Sequence, residues 1–265
     1  MAEERPGRMG PLVLLRHGQS TANADGRFTG WADVPLTPQG AHEAVEAAQL
    51  LARDGLLPDV AHTSVMHRSI QSADITLAEL DRLWIPVQRT WRLNERQYGA
   101  LTGRLKREVR AETGADRYHH WRRSLHGRPA PLPDDALARL RAEPRYAALR
   151  PDAVPAVESL ADMTTRIAPY WVDVVVPQLR VGATVLVVAH GNSLRALVTV
   201  LDQLTEDEIS RLNIPTGAPL RYDFDDALRP LARGGTYLNP DDARAKAELV
   251  ATEGHSLNPS TTGSH

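Results

Sequence analysis

The sequence predicts an α/β fold built on a mostly parallel sheet. Apolar runs of strand length occupy residues 12–15 and 184–189, and weaker ones occupy residues 59–63 and 86–90. Helical patterns alternate with these runs, and that alternation is typical of a parallel sheet with crossover helices. The runs at 12–15 and 184–189 are almost unbroken, which indicates central strands that are covered on both faces.

The clearest helix follows the first strand. Apolar residues recur at helical spacing from Ala41 to Leu51, behind Thr37 as N-cap and Pro38 at the first helical position, and Gly55 marks the end. The remaining helical patterns cover about residues 68–83, 159–179 with interruptions at Pro169 and Pro177, 193–204, and a last short helix that opens at Asn239.

The chain is expected to form one catalytic domain over residues 9–251. Six prolines and little periodicity between residues 126 and 157 indicate a long surface excursion, which serves as a lid or rim. We therefore expect a cap region at about residues 101–157. Residues 252–265 are polar and are expected to form a flexible tail.

Composition excludes several classes of protein. The 265 residues carry 31 Lys and Arg against 33 Asp and Glu, so the net charge of −2 favours neither a nucleic-acid coat nor an anionic membrane surface. The absence of cysteine excludes disulfides, thiolate nucleophiles and cysteine-ligated metals. There is no apolar segment at the N-terminus and no membrane-length apolar run, so a cytoplasmic protein is expected.

Two predicted strands end in the same dipeptide. His17-Gly18 follows the first strand and His190-Gly191 follows the strand at 184–189. Because the carboxyl ends of parallel strands meet at one edge of a sheet, both imidazoles should project into one crevice. A single histidine is usually structural, but this repetition indicates a functional pair. The glycines would let a ligand approach the backbone.

Arginines beside these histidines indicate a phosphate pocket. Arg16 precedes the first histidine, and Arg68 opens the helix after the second strand. A guanidinium presents a planar fork of donors that suits phosphate oxygens. With the phosphate held by Arg16, Arg68 and His190, the ring nitrogen of His17 can attack phosphorus and form a phosphohistidine.

Further residues are needed to transfer a proton and to bind the rest of the substrate. Glu95 lies just beyond a predicted strand and is the best candidate for proton transfer. Residues 101–128 hold eight Lys or Arg against three acids. This window could be a solvated basic helix or a nucleic-acid patch. We favour a cap over the pocket that binds an anionic substrate tail through Lys106, Arg122 and Arg123.

Seven segments together resemble a known family. They are RHGQS, RFTGW, TSVMHRSI, LNERQYGAL, WRR, AHGNSLRAL and LNIPTGAPL. From about residue 12 to residue 251, the chain closely resembles the 2,3-bisphosphoglycerate-dependent phosphoglycerate mutases of the histidine phosphatase superfamily. The segment RHGQS indicates only the superfamily, whereas LNERQYGAL and LNIPTGAPL narrow the match to the mutase branch.

This resemblance implies a fold, a reaction and a set of site residues. The fold is a three-layer α/β/α sandwich around a mostly parallel sheet. His17 becomes phosphorylated, Glu95 donates and accepts the proton, His190 steadies the phosphoryl group, and Arg16 and Arg68 bind phosphate. The implied substrate-binding residues are Asn23, Thr29, Gly30, Tyr98, Lys106, Arg122, Arg123, Gly191 and Asn192.

The implied reaction interconverts 3-phosphoglycerate and 2-phosphoglycerate in glycolysis and gluconeogenesis. 2,3-Bisphosphoglycerate is both the primer of the phosphoenzyme and the intermediate, and no metal is required. The family is commonly dimeric or tetrameric, so a homodimer or homotetramer is expected. No nucleic acid or membrane is expected as a partner.

Two departures from the family pattern bear on the structure. Thr21-Ala22 stands where many relatives carry a bulkier pair, which is expected to affect packing of the pocket. Val157 replaces an expected helix-capping hydroxyl residue, so the helix that begins near Ser159 is expected to fray at its start.

Three other functions are compatible with parts of the sequence. A phosphatase of the same superfamily would pass the phosphoryl group from His17 to water. A serine hydrolase would use Ser193 in Gly191-Asn192-Ser193, but the motif has Arg195 where a nucleophile elbow needs glycine. A nucleic-acid-binding patch at residues 101–128 would bind in a strongly salt-dependent way.

Overall fold

A six-stranded mixed sheet forms the centre of the molecule. The computed structural model describes residues 9–252 and 254. The strands are β1 (Leu12–Arg16), β2 (Val60–Thr63), β3 (Val87–Arg89), β4 (Val185–Ala189), β5 (Leu220–Tyr222) and β6 (Thr236–Tyr237). Their order is β3-β2-β4-β1-β5-β6. The two nearly unbroken apolar runs became β1 and β4, which lie side by side in the middle and confirm the prediction of central strands.

The sheet is parallel where it carries the predicted strands and antiparallel beyond them. β1, β4, β2 and β3 pair in parallel, whereas β5 and β6 add an antiparallel edge next to β1. The sequence analysis missed β5 and β6. They span three and two residues, which is too short for an alternating pattern to be recognised.

Helices cover both faces of the sheet and confirm the three-layer architecture. Leu12 and Leu14 of β1 point to one apolar core, and Val13 and Leu15 point to a second. The α-helices are α1 (Thr21–Ala24), α2 (Pro38–Arg53), α3 (His67–Glu79), α4 (Lys106–Thr113), α5 (Ala115–Arg123), α6 (Asp134–Ala142), α7 (Leu160–Tyr170), α8 (Val176–Arg180), α9 (Gly191–Asp202), α10 (Glu206–Arg211) and α11 (Pro240–Thr252). Short 3-10 turns occupy Trp91–Leu93, Gly99–Leu101 and Pro151–Ala153.

Local chemistry explains where the helices begin and end. Thr37 caps α2 by accepting the N–H of Gly40, and Pro38 opens the helix, as predicted. The helix expected at 68–83 ends at Glu79, because Asp81 has a positive φ of 53°. α9 begins two residues before the predicted start, and Gln203 ends it with a left-handed φ of 51°.

The long helix at 159–179 is continuous but changes its winding. α7 passes through a π-helical turn at Trp171–Val175 into α8, just after the internal Pro169. Proline lacks the N–H of the helix ladder, and the rare π-helical turns occur mostly as single turns inside α-helices, as here. The expectation that this helix frays at its start is wrong. Ser159 accepts the N–H of Asp162, and Asp162 Oδ2 accepts the N–H of Ser159, which closes a capping box without Val157.

The proline-rich excursion at 126–157 is anchored on its inner side. α6 is without buried residues, but Tyr146 and Val154 pack into a small core with Trp31 and Met66. The tail predicted at 252–265 lies outside the described residues apart from Thr252 and Gly254. In residues 9–252, no helix is both long and apolar enough to cross a membrane.

Gly18 is required by packing rather than by ligand access. A Cβ at Gly18 would lie 2.0 Å from the carbonyl oxygen of Gly40 in α2, so two backbones meet there. We expect Gly18→Ala to lower the free energy of unfolding by about 1–3 kcal/mol, since the start of α2 must shift. Urea unfolding measures this change. A matched control is Gly191→Ala, whose Cβ would come no closer than 3.5 Å to the Arg16 side chain.

Candidate active site

The two histidines meet at the carboxyl edge of the sheet. β1 and β4 pair with Arg16 opposite Ala189, so His17 and His190 follow at the same level. The N–H of His17 still donates to Ala189 O at 2.9 Å. The two imidazole centroids lie 4.9 Å apart with an interplanar angle of 63°. The predicted shared crevice is therefore present in the fold.

The ring of His17 is oriented with one nitrogen toward the arginines. Its Nδ1 lies 2.7 Å from the carbonyl oxygen of Gly18, which can only accept, so Nδ1 carries the proton. Its Nε2 accepts from Arg68 Nε at 3.3 Å. Nε2 therefore holds a lone pair inside a cationic environment, as an attacking nitrogen requires.

The surroundings keep this ring neutral. Burial, followed by the charges of Arg68 and Arg16, holds the pKa of His17 well below its usual 6.5. Burial and the charge of Arg68 also hold the pKa of His190 well below that value. Both imidazoles are uncharged at neutral pH, which leaves the arginines as the positive groups of the crevice.

A pH titration tests this shift. We expect the His17 ring resonances of the folded protein to titrate well below the reference pKa of about 6.5, because burial and the charges of Arg68 and Arg16 lower the pKa of His17. The free energy of unfolding should fall as the pH drops below about 6.5, since the unfolded chain binds the proton first. A titration of the folded ring centred near pH 6.5 would contradict this account.

Hydrogen bonds to backbone carbonyls orient the side chains of Arg68 and Arg16. Arg68 donates to Ala32 O at 3.1 Å and to Gly30 O at 3.3 Å, and Gly30 itself has a positive φ of 55°. Burial lowers the pKa of Arg68 to about 10, so it stays cationic at neutral pH. Arg16 donates to Ile214 O at 2.8 Å, while its buried Nε has no hydrogen-bond partner within the described residues.

Glu95 lines the pocket and is held through one of its two carboxylate oxygens. Oε1 accepts the N–H of Arg96 at 2.7 Å and the side-chain amide of Asn192 at 3.0 Å. Among the described residues no hydrogen bond reaches Oε2. That oxygen is available to take or give a proton.

The predicted residues come together around one pocket. Its lining is Arg16, Asn23, Arg27, Phe28, Thr29, Glu95, Tyr98, Lys106, Arg122, Arg123, Gly191, Asn192, Arg195, Ile214 and Val250. Ten predicted site residues are among them. His17, Arg68, His190 and Gly30 lie behind this surface and connect to it through the contacts given above.

The cations of the basic window at residues 101–128 include both pocket-lining and surface residues. Lys106, Arg122 and Arg123 are each 8% exposed and line the pocket from α4 and α5. Arg104 and Arg128 instead pair with acids on the surface. The three cations that were singled out are therefore directed inward, which favours the cap over a nucleic-acid patch.

Arg195 is a pocket residue that the sequence analysis did not assign. Its guanidinium donates to Asn192 Oδ1 at 2.9 Å, which turns the amide N–H₂ of Asn192 toward Glu95 and Tyr98. It also donates to Arg122 O and to the carbonyl of Ile209 in α10. Burial lowers the pKa of Arg195 to about 9, which still leaves it charged. Arg195 could have been recognised from the sequence, because it lies in the family segment AHGNSLRAL.

Ser193 does not have the exposed position that a serine hydrolase would need. Ser193 Oγ is fully buried and accepts the N–H of His190 at 2.9 Å, so it caps α9 rather than facing the pocket as a hydrolase nucleophile. Thr21 is exposed and Ala22 is buried in α1, and only their neighbour Asn23 lines the pocket. Within the described residues, no group of three His, Asp or Glu side chains is arranged to hold a metal ion.

Comparison with known proteins identifies the family of this chain. The profile of the histidine phosphatase superfamily (branch 1) matches residues 12–144 and 132–233. The chain belongs to the histidine phosphatase superfamily. It is 55% identical to a protein of Mycobacterium tuberculosis named 2,3-bisphosphoglycerate-dependent phosphoglycerate mutase. The alignment spans 245 residues and covers 92% of this chain and 98% of that protein.

Two further comparisons support the assignment to the histidine phosphatase superfamily and the fold. A protein of the same name from Thermobifida fusca is 50% identical over 246 residues, covering 93% of this chain and 100% of that one. The solved structure of mycobacterial glucosyl-3-phosphoglycerate phosphatase superposes with a TM-score of 0.65 at 21% identity, over 86% of this chain and 100% of that chain. At that identity the likeness concerns the fold alone.

Proposed function

We propose that this protein interconverts 3-phosphoglycerate and 2-phosphoglycerate through a phosphohistidine at His17, in glycolysis and gluconeogenesis. The observation that carries the proposal is the His17 ring, whose unprotonated Nε2 lies among Arg68, Arg16 and His190. Relatives at 50–55% identity over nearly the whole chain bear the name of such a mutase, which supports the choice of substrate.

The chain's own residues supply the nucleophile, the proton and the charge stabilisation for phosphoryl transfer. His17 Nε2 attacks the phosphorus of a bound phosphate ester, and the ester oxygen leaves as the N–P bond forms. Glu95 Oε2 supplies the proton that this oxygen needs, and later removes a proton from the hydroxyl that accepts the phosphoryl group back. Arg16, Arg68 and His190 stabilise the charge on the moving phosphoryl oxygens.

The pocket has the donors that a doubly phosphorylated three-carbon acid requires. Arg16 and Arg68 suit the phosphate at His17, while Lys106, Arg122 and Arg123, which line the pocket from α4 and α5, suit the remaining anionic groups. 2,3-Bisphosphoglycerate supplies, when bound, the phosphate that primes His17. Asn23, Thr29, Tyr98 and Asn192 add polar contacts on the lining between these groups.

The experiment compares two fates of one substrate. Purified protein primed with 2,3-bisphosphoglycerate is given 3-phosphoglycerate, and formation of 2-phosphoglycerate and release of inorganic phosphate are followed together. We expect isomerisation to exceed phosphate release by at least about 100-fold, since the capped cationic pocket retains the intermediate. Faster phosphate release would assign the protein as a phosphatase of the same superfamily.

Gly191→Ala tests whether phosphate binds over Arg16. The new methyl would sit 3.5 Å from Cζ and Nε of Arg16 and 3.7 Å from its Nη1, which is ordinary van der Waals contact. We expect the free energy of unfolding to change by less than about 0.5 kcal/mol. KM for 3-phosphoglycerate should rise at least about tenfold, because the methyl occupies space beside the phosphate-binding donors. An unchanged KM would place the phosphate elsewhere.

The remaining organisation is part of the same proposal. Residues 9–251 form a single catalytic domain with a cap at about residues 101–157, and residues 252–265 form a flexible tail. The enzyme works in the cytoplasm as a homodimer or homotetramer and needs no metal. Its pocket, rather than a nucleic-acid or membrane surface, is the site of binding.

A further inference from the structure

The side chain of Ser64 contacts the His190 ring at Nε2. It follows β2 directly and is fully buried. Its Oγ lies 2.8 Å from His190 Nε2 and also accepts the N–H of Met66 at 3.1 Å. Ser64 does not line the pocket, so its hydroxyl contacts the site only through His190.

Counting hydrogens decides the direction of the Ser64–His190 bond. Ser64 Oγ already accepts from a backbone N–H, and it has a single hydrogen to donate. Within the described residues the only acceptor for that hydrogen is His190 Nε2. If His190 Nε2 held the proton instead, the Ser64 hydrogen would be left buried without an acceptor, which costs about 1–3 kcal/mol.

The other side of the His190 ring leads to the same tautomer. His190 Nδ1 is buried and has no hydrogen-bond partner within the described residues, although the Ser193 N–H of the α9 capping box lies toward the His190 side chain. The centroids of the His190 and His17 rings lie 4.9 Å apart. A neutral imidazole carries one proton, so an acceptor at Nε2 places it on Nδ1. An Nδ1–H can donate to a phosphoryl oxygen, whereas an Nδ1 lone pair would repel it.

We propose that Ser64 is a positioning residue whose hydroxyl donates to His190 Nε2 and thereby keeps the His190 proton on Nδ1, aimed at the phosphoryl group. This role rests on the proposed function, because the acceptor is the group transferred to and from His17. Ser64 itself touches neither substrate nor the reacting atoms. Its effect reaches the reaction only through the tautomer of His190.

The direct test is the tautomer of the wild-type enzyme without ligand. Protein labelled with ¹⁵N-histidine gives two-bond proton–nitrogen correlations, and the spectrum of His190→Gln identifies the His190 signals by their loss. We expect the shift of a protonated nitrogen at Nδ1 and of an unprotonated nitrogen at Nε2. The reverse pattern would overturn the proposal, whether or not any variant folds.

Variants connect the tautomer to the reaction. In Ser64→Ala we expect mixed His190 tautomers and a kcat about tenfold lower, with KM nearly unchanged. Ser64→Thr, which restores a hydroxyl, should recover the Nδ1–H signal and much of the kcat. The matched control is Ser69→Ala, since Ser69 is equally buried but donates to Val188 O. Ser69→Ala should keep the wild-type tautomer and kcat.

The outcomes separate this proposal from the proposed function. A wild-type His190 tautomer with Nε2 protonated, in an enzyme that isomerises 3-phosphoglycerate, refutes the role of Ser64 alone. Loss of the Nδ1–H signal in Ser64→Ala with full kcat also refutes it. If 3-phosphoglycerate is not isomerised, the mutase proposal fails, and the spectrum still shows whether Ser64 sets the tautomer.

Discussion

His17→Ala is expected to reduce mutase activity by more than about 10⁴-fold, to the level of the uncatalysed background. The reason is that, in the part of the chain that the structure describes, no other side chain places an unprotonated nitrogen beside both Arg68 and Arg16. His190, the only neighbouring imidazole among the described residues, presents Nε2 to Ser64 instead. Stopped assays with 3-phosphoglycerate and 2,3-bisphosphoglycerate measure the loss.

His62→Gln is a matched control for this variant. His62 is also a fully buried histidine on a parallel strand, and burial likewise lowers its pKa. Its ring nitrogens contact Tyr170 OH and Gln178 Oε1 at 2.7 Å, away from the pocket lining. We expect His62→Gln to retain mutase activity. Appreciable turnover by His17→Ala would refute the assignment of the nucleophile.

Glu95→Gln is expected to lower kcat for the mutase reaction by about 10²–10⁴-fold. The amide keeps the size of the side chain and an oxygen that can accept the N–H groups of Arg96 and Asn192, but it cannot exchange a proton. The effect should depend on the leaving group. Transfer from p-nitrophenyl phosphate to His17, followed as the first release of nitrophenolate, should fall by less than about tenfold, because nitrophenolate leaves without a proton.

This dependence on the leaving group separates acid–base chemistry from damage to the pocket. A misplaced arginine or histidine would slow both phosphoryl donors alike. Equal losses with both compounds would therefore contradict the role of Glu95 and point to a purely structural effect. Glu95→Gln can keep the pocket intact because three N–H groups hold Oε1, whereas none of the described residues donates a hydrogen bond to Oε2.

Residues with a strong local signal could be predicted from the sequence. The apolar runs of β1 and β4 indicate buried central strands, and the two His-Gly dipeptides then place His17 and His190 at one edge by topology alone. Thr37 and Pro38 define the start of α2 through contacts with residues no more than three positions away, so this start can be predicted from the sequence. The inward direction of Lys106, Arg122 and Arg123 was a hypothesis that depended on charge alone, and the fold supports it.

Features that depend on distant contacts could not be predicted in this way. The close approach of Gly18 to Gly40 brings together two glycines that are 22 residues apart, and the bond from Ser64 to His190 spans 126 residues. The Arg195 side chain was visible in a motif, but its acceptors lie on α5 and α10. Periodicity carries no information on such pairings, so only the folded chain reveals them.

The most direct measurement of the central claim is the site of phosphorylation. Protein incubated with 2,3-bisphosphoglycerate is digested under non-acidic conditions, and the phosphorylated peptide is located by mass spectrometry before and after acid treatment. We expect one acid-labile phosphate on His17. Phosphate on His190 or Ser193, or continued isomerisation of 3-phosphoglycerate without any phosphorylated His17, would contradict the account.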